Sequence, residues 1–367
     1  MNILQVFNGF SDRWNANGYY ALSLAEGLAG LGHKVICAAD PGCPFIQKAQ
    51  ERNLRIYELK VDTDNPFVYF SVMRHIRNLI HKENIDIINC HRGKMMHAFI
   101  RAAHTSDRNV TVVRTHGEDR MPNTHFLSRL ESRHIGKYIV TTERLKEYYL
   151  SRFNLNESDI AVIYGGVSHQ IHSDRERIEP SCPRNEGIFT IGILGRPSAV
   201  KGHRTAIKAM KRVIDSVSMP VVLKIAGGRN QERLEGFRQY AQECGLAEDR
   251  IQILGKVENA AEFIAGIDIG LIPSLGSEMI CRVLMEFLAF GKPVFGSDVN
   301  AVGEVIRKFS VGLASPAGDA DTLAQNIIQA VTSDSRMDEW ASRARTSYES
   351  VFAPDAFARI TAEFYAS

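Results

Sequence analysis

A chain of 367 residues is long for one domain and comfortable for two, each able to bury its own core. Its 44 Lys and Arg against 42 Asp and Glu create no global field, which argues against a nucleic-acid partner. Cys37, Cys43, Cys90, Cys182, Cys244 and Cys281 form no Cys-x-x-Cys pair, so neither a zinc site nor a disulfide framework is expected, and they fit a reducing cytosol.

From the first residue, short β-branched runs alternate with longer amphipathic stretches, the pattern of βαβ units on a parallel sheet. Met1–Phe7 enters a strand directly rather than a leader, and no run approaches the roughly 18 apolar residues of a membrane span. Strands are predicted at Ile3–Phe7, Lys34–Ala38, Arg55–Leu59, Ile85–Cys90, Val110–Thr115, Tyr138–Val140 and Ile160–Ile163. A helix over Gly18–Leu31 presents Leu22, Ala25, Leu28 and Ala29 as a stripe and stops at Gly32. The segment Ser71–Lys82 reads as a second amphipathic helix, with Met73, Ile76, Leu79 and Ile80 between basic residues. That suits an ordinary helix on the sheet or a peripheral contact with a membrane face.

Periodicity fails from Ser168 to Gly187, where charges, Pro180 and Cys182-Pro183 imply a linker. Alternation restarts with strands at Thr190–Leu194, Val221–Ala226, Ile251–Leu254, Ile269–Ile272 and Pro293–Gly296. Helical patterns at Ala320–Thr332, Met337–Ser350 and Pro354–Tyr365 follow, with no further strand. The expected domains are 1–170, a linker 171–187, 188–350, and a C-terminal helix 351–367 that crosses back. Open α/β sheets bind ligands beyond the carboxyl ends of their strands, so function is sought in the loops there.

Two segments carry the chemistry. In Gly195-Arg196-Pro197-Ser198-Ala199-Val200-Lys201-Gly202-His203 a strand ends, two cations follow five residues apart, and a helix opens. Helix-start N–H groups and two cations converge well on a diphosphate, although the same residues suit an ordinary βα loop with two surface cations. In Ser274-Leu275-Gly276-Ser277-Glu278-Met279-Ile280-Cys281-Arg282 a Gly/Ser loop leads to an acid and a helix, with a second acid at Glu286. Placed on one helix, Glu278 and Glu286 stand roughly 80° apart and border one ligand. Glu286 amid Leu284, Met285, Phe287 and Leu288 needs a polar partner, which a ribose diol or an ion pair would supply.

Taken together, with Asp268–Ser274, Gly291-Lys292-Pro293-Val294, Gly296-Ser297-Asp298 and Val162–Val167 in order, these segments resemble the retaining GT-B glycosyltransferases of family 4, with their Glu-x7-Glu signature. The resemblance implies an α/β architecture of two facing Rossmann-like domains with parallel sheets and a cleft between them. It assigns acceptor binding to the first domain and nucleotide-sugar binding to the second. Residue by residue it implies that Arg196 and Lys201 hold the donor diphosphate, Glu286 binds the ribose hydroxyls, and Glu278 reaches the transferred sugar. The family's glycines after Glu278 are replaced here by Met279 and Ile280, set against the donor. On the acceptor side the family's Gly-Gly pair becomes Asn17-Gly18, which opens the first helix after a polar loop. His116, after the strand Val110–Thr115, looks like the family histidine near the reactive face of the sugar, though a loop histidine satisfied by backbone fits too. His91 is a lesser cleft candidate.

The function so implied is metal-independent transfer, with retention, from a nucleotide diphosphate sugar to a hydroxyl of a glycan or lipid-linked acceptor. Its setting would be cell-envelope polysaccharide or lipopolysaccharide synthesis, in the cytoplasm or at the inner membrane face, with no cofactor beyond the donor. A GT-B sugar-nucleotide epimerase and a non-catalytic nucleotide-sugar-binding subunit are the competing classes. Asp62-Thr63-Asp64 and Asp319-Ala320-Asp321 match a metal-binding Asp-x-Asp pattern, but a turn and a helix start explain them.

Overall fold

The computed structural model describes residues 1–7, 14–61, 65–178 and 187–367. Asp62-Thr63-Asp64, the loop residues Ser11-Asp12-Arg13 and the 179–186 stretch of the expected linker lie outside the described residues. The chain divides into two units, one made of Met1–His169 with Pro354–Ser367 and the other of Gln170–Ala353.

The first unit holds seven parallel strands: β1 (Asn2–Phe7), β2 (Lys34–Ala39), β3 (Arg55–Glu58), β4 (Ile87–Cys90), β5 (Thr111–His116), β6 (Lys137–Val140) and β7 (Ile160–Val162), in the order β3-β2-β1-β4-β5-β6-β7. β1 pairs with β2 on one side and β4 on the other, so the strand order reverses beside it. Strands buried on both faces need continuous apolar runs, and β1, with Ile3, Leu4 and Val6 at 0% exposure, supplies one. The helix Pro66–Glu83 seals one face through Val72, Ile76, Leu79 and Ile80, which lie in the same apolar cluster as Leu4, Ile36 and Ile88. The stripe that suited either a helix on the sheet or a membrane contact is thus packed into this unit's core. On the other face Tyr365 of the last helix, Pro354–Ala366, reaches the buried amides of Gln5 and Asn89, whose Nε2 and Nδ2 donate to its hydroxyl at 3.3 and 2.8 Å.

The second unit has six parallel strands: β8 (Phe189–Leu194), β9 (Val221–Ala226), β10 (Ile251–Gly255), β11 (Ile269–Ile272), β12 (Val294–Ser297) and β13 (Ala314–Ser315), in the order β10-β9-β8-β11-β12-β13. Its order reverses between β8 and β11, the two strands that feed both signature segments. A switch point of this kind leaves a crevice at the strand ends.

Four expectations are corrected. Residues His169–Arg177 form a helix inside the stretch read as aperiodic; none of its residues is buried, so it has no apolar stripe to read. β13 is a further strand, two residues long and too short to carry an alternation. The penultimate helix runs Asp334–Ser347 and then widens into a π-turn, Tyr348–Phe352, which buries Tyr348 and Phe352. Asn17 and Gly18 lie within the first turn of the helix Ala16–Gly30, whose cap is Asn15, so the helix opens before them and the pair is not part of the loop. Gly18 is small for packing: an added Cβ would stand 3.0 Å from the Trp14 ring. Among the described residues no helix is long and apolar enough to cross a membrane.

Candidate active site

In the second unit the loops after β8 and β11 touch. The backbone N–H of Leu275 donates to the Val200 carbonyl at 2.7 Å, and the Lys201 ammonium donates to Oε1 of Glu278, 77 residues away. Ser274 Oγ–H donates to the same oxygen at 2.6 Å. This approach depends on Gly202, which caps the helix His203–Ser216 at φ +67°; a Cβ there would lie 1.7 Å from the Pro273 carbonyl oxygen. Gly202 therefore brings a helix N-terminus, with its free N–H groups, beside the cation and the acid. Arg196 is exposed and, among the described residues, unpaired.

Glu278 is 5% exposed and, like Ser277, holds a left-handed backbone, at φ +64° and +66°. For residues other than glycine this is a costly conformation kept by its surroundings. Asn300 supplies part of that support, its side-chain N–H donating to the Ser277 carbonyl, and the Ala301 N–H donates to the Glu278 carbonyl at 3.2 Å. The helix begins only at Arg282, so the placement of both acids on one helix is corrected: Glu278 precedes it, in the loop. Met279 and Ile280 are 4% and 6% exposed, so their side chains pack into the unit. Arg282 Nε donates to Glu286 Oε1 at 3.0 Å, while Glu286 Oε2 is buried with no partner. Burial pushes the Glu286 carboxyl above the usual carboxylate range, and Arg282 opposes that shift. A buried acceptor left open in this way suits a hydroxyl donor from a ligand.

In the first unit His116 ends β5 at 2% exposure. Its Nε2 lies 3.1 Å from the Arg120 carbonyl, which only accepts, so Nε2 carries the proton and Nδ1 accepts from the Tyr149 hydroxyl at 2.9 Å. Burial, with the nearby Arg114 charge, drives this imidazole down to about 3, so it is neutral. To donate to a substrate, Nε2–H would exchange the Arg120 carbonyl for it. His91, expected at the cleft, is corrected: it is 2% exposed, 2.6 Å from Gln5 Oε1, and held down to about 3 mainly by burial. It belongs to the buried polar cluster of Gln5, Asn89, Thr115 and Tyr365. Asp319 is a helix cap that accepts from the Asp321 and Thr322 N–H groups.

Sequence reasoning missed Ser274, Asn300 and Tyr149. Ser274 carried a faint signal, a hydroxyl just past a strand end in a signature segment. The partners of Tyr149 and Asn300 lie 33 and 23 residues away, and nothing local marks them.

Residues 18–171 match Glycosyltransferase Family 4 and residues 174–347 match Glycosyl transferases group 1. N-acetyl-alpha-D-glucosaminyl L-malate synthase of Bacillus anthracis is 22% identical over 344 residues, 90% of this chain and 88% of that protein. Phosphatidyl-myo-inositol mannosyltransferase of Mycobacterium leprae is 33% identical over 179 residues, 48% of this chain and 46% of that protein. Among solved structures, a glycosyltransferase from Rickettsia africae superposes with a TM-score of 0.81 at 21% identity, covering 99% of this chain and 97% of that one. Anabaena HepE in complex with UDP superposes with a TM-score of 0.75 at 16% identity over the full length of both. Two doubly wound units of this topology, with these neighbours, define a glycosyltransferase of the GT-B fold. The two matched regions succeed each other along nearly the whole chain, and the protein belongs to glycosyltransferase family 4.

Proposed function

We propose that this enzyme moves a sugar, with retention of anomeric configuration, from a nucleotide diphosphate sugar to a hydroxyl of a glycan or lipid-linked acceptor in cell-envelope polysaccharide or lipopolysaccharide synthesis. The observation that carries the donor reading is the meeting of Lys201 and Glu278 at the β8/β11 switch point, beside a helix N-terminus. Lys201 and Arg196 take the diphosphate, and the open Glu286 oxygen takes a ribose hydroxyl. Glu278, tied to Lys201 and Ser274, orients sugar hydroxyls. The UDP bound by the Anabaena neighbour supports a nucleotide donor, and the phosphatidyl-inositol substrate in the mycobacterial relative's name supports lipid-linked acceptors.

Retention by double displacement needs a carboxylate free beneath the anomeric carbon. Glu278 Oε1 already accepts two hydrogen bonds, so the reading favours a front-face route. In that route the departing diphosphate helps to deprotonate the acceptor while Arg196 and Lys201 stabilise its charge and His116 orients the sugar. The cations take the place of a divalent metal in this scheme, so turnover should persist in EDTA. NMR of the product from an α-configured donor tests the stereochemistry: an α-linkage is expected, and a β-linkage would sink retention.

A further inference from the structure

The first unit contains a cavity of about 450 Å³ whose wall includes Met96, Ile135 and Phe153, a volume within the range of small-ligand sites. Into it, from mid-β5, points Arg114, on the same strand face as His116. Arg114 is 9% exposed, and its Nη1 is buried with no hydrogen-bond partner. Glu131, also on the wall, has a buried Oε1 without a partner, while its Oε2 lies 3.5 Å from His97 Nε2. Gly93 opens the space beside the guanidinium, since a Cβ there would lie 3.4 Å from Arg114 Nη2. The Tyr149 hydroxyl meets part of this guanidinium, and the rest of a buried charge is costly unless a further acceptor meets it. The cavity's other carboxylate, Glu118, is already bound to Arg92 at 2.6 Å, while Lys94 and Arg120 add positive charge to the wall.

We propose that this pocket is an anion subsite of the acceptor, in which Arg114 holds a carboxylate or phosphate oxygen and Glu131 accepts from a neighbouring hydroxyl. The inference deepens the glycosyl-transfer reading and rests on it for the word acceptor. It names the acceptor's chemical class, a small anion-bearing polyol rather than a neutral glycan. Guanidinium geometry suits both anions, and the pocket's size selects a compact head group over an extended chain.

Calorimetric titration of the full chain with inorganic phosphate and, separately, succinate tests it, with UDP, ADP and GDP present to fill the donor site. One of the two anions should bind, and which one does distinguishes a phosphate-bearing acceptor from a carboxylate-bearing one. Arg114→Gln should weaken that binding about 10- to 100-fold with nucleotide affinity unchanged. Glu131→Gln, which removes a carboxylate charge from the wall while keeping an acceptor oxygen there, should strengthen it. Nucleotide binding without binding of either anion would overturn the subsite and spare the donor reading. Anion binding without nucleotide binding would do the reverse. If Arg114→Gln fails to fold, Glu131→Gln decides, and an affinity equal to the native chain's would overturn the proposal.

Discussion

The Lys201 ammonium is already engaged by Glu278, so on the proposed donor reading a diphosphate competes with a carboxylate for it. Lys201→Ala should therefore cost donor affinity about 1.5–3 kcal/mol, one charge-assisted hydrogen bond, and should lower stability by leaving the buried Glu278 carboxylate without its cation. Adding Glu278→Gln should restore the melting temperature but not the affinity, and donor titration beside thermal unfolding separates the two. A second prediction follows from the imidazoles of His91 and His116, both held down to about 3. Their folded values lie below the ordinary value of about 6.5. Their contribution is complete above that pH and is lost as pH falls from about 6.5 toward 3, at up to about 1.4 kcal/mol per unit each. Urea midpoints between pH 7.5 and 5 should fall accordingly, and His116→Gln should flatten the slope. The members of the candidate site that the sequence could nominate were those whose chemistry is stated within one short segment, Arg196, Lys201, Glu278 and Glu286. Their supports were hidden because a hydroxyl or amide declares its partner only after the chain has folded.

At the level of elements, strands buried on both faces were readable because continuous β-branched runs have no other use in a chain of this kind. The helix His169–Arg177 was not, because burial leaves the only periodic trace and it buries nothing. The helix Pro66–Glu83 shows the opposite failure: its amphipathic pattern was legible, but periodicity does not say what covers the stripe. With Val72, Ile76, Leu79 and Ile80 packed inside, any membrane contact by this element falls to Phe67 and Phe70 in its first turns, 85% and 66% exposed. Replacing both with Ser should leave the unfolding free energy within about 0.5 kcal/mol of the native chain's, as for other exposed positions. It should also reduce co-sedimentation with anionic vesicles at low salt. Equal retention of both proteins on vesicles would remove this contact from the functional reading.

Across the molecule, the chain leaves the first unit at His169, builds the whole second unit, and returns at Pro354. Tyr365 on that returning helix accepts from both Gln5 and Asn89, so Tyr365→Phe should leave two buried amides short of an acceptor. The expected cost is about 1–3 kcal/mol, read from urea unfolding of the first unit's aromatic signal. The same arrangement sets a timetable during synthesis. Ribosomes add about 5–20 residues per second, so the nascent N-terminal sheet waits for some tens of seconds with the seat of that returning helix uncovered while the second unit is translated and folds. Its last structural member then emerges from the exit tunnel. The half of the enzyme made first is therefore the half finished last, and it is the half that has most need of a chaperone at the ribosome.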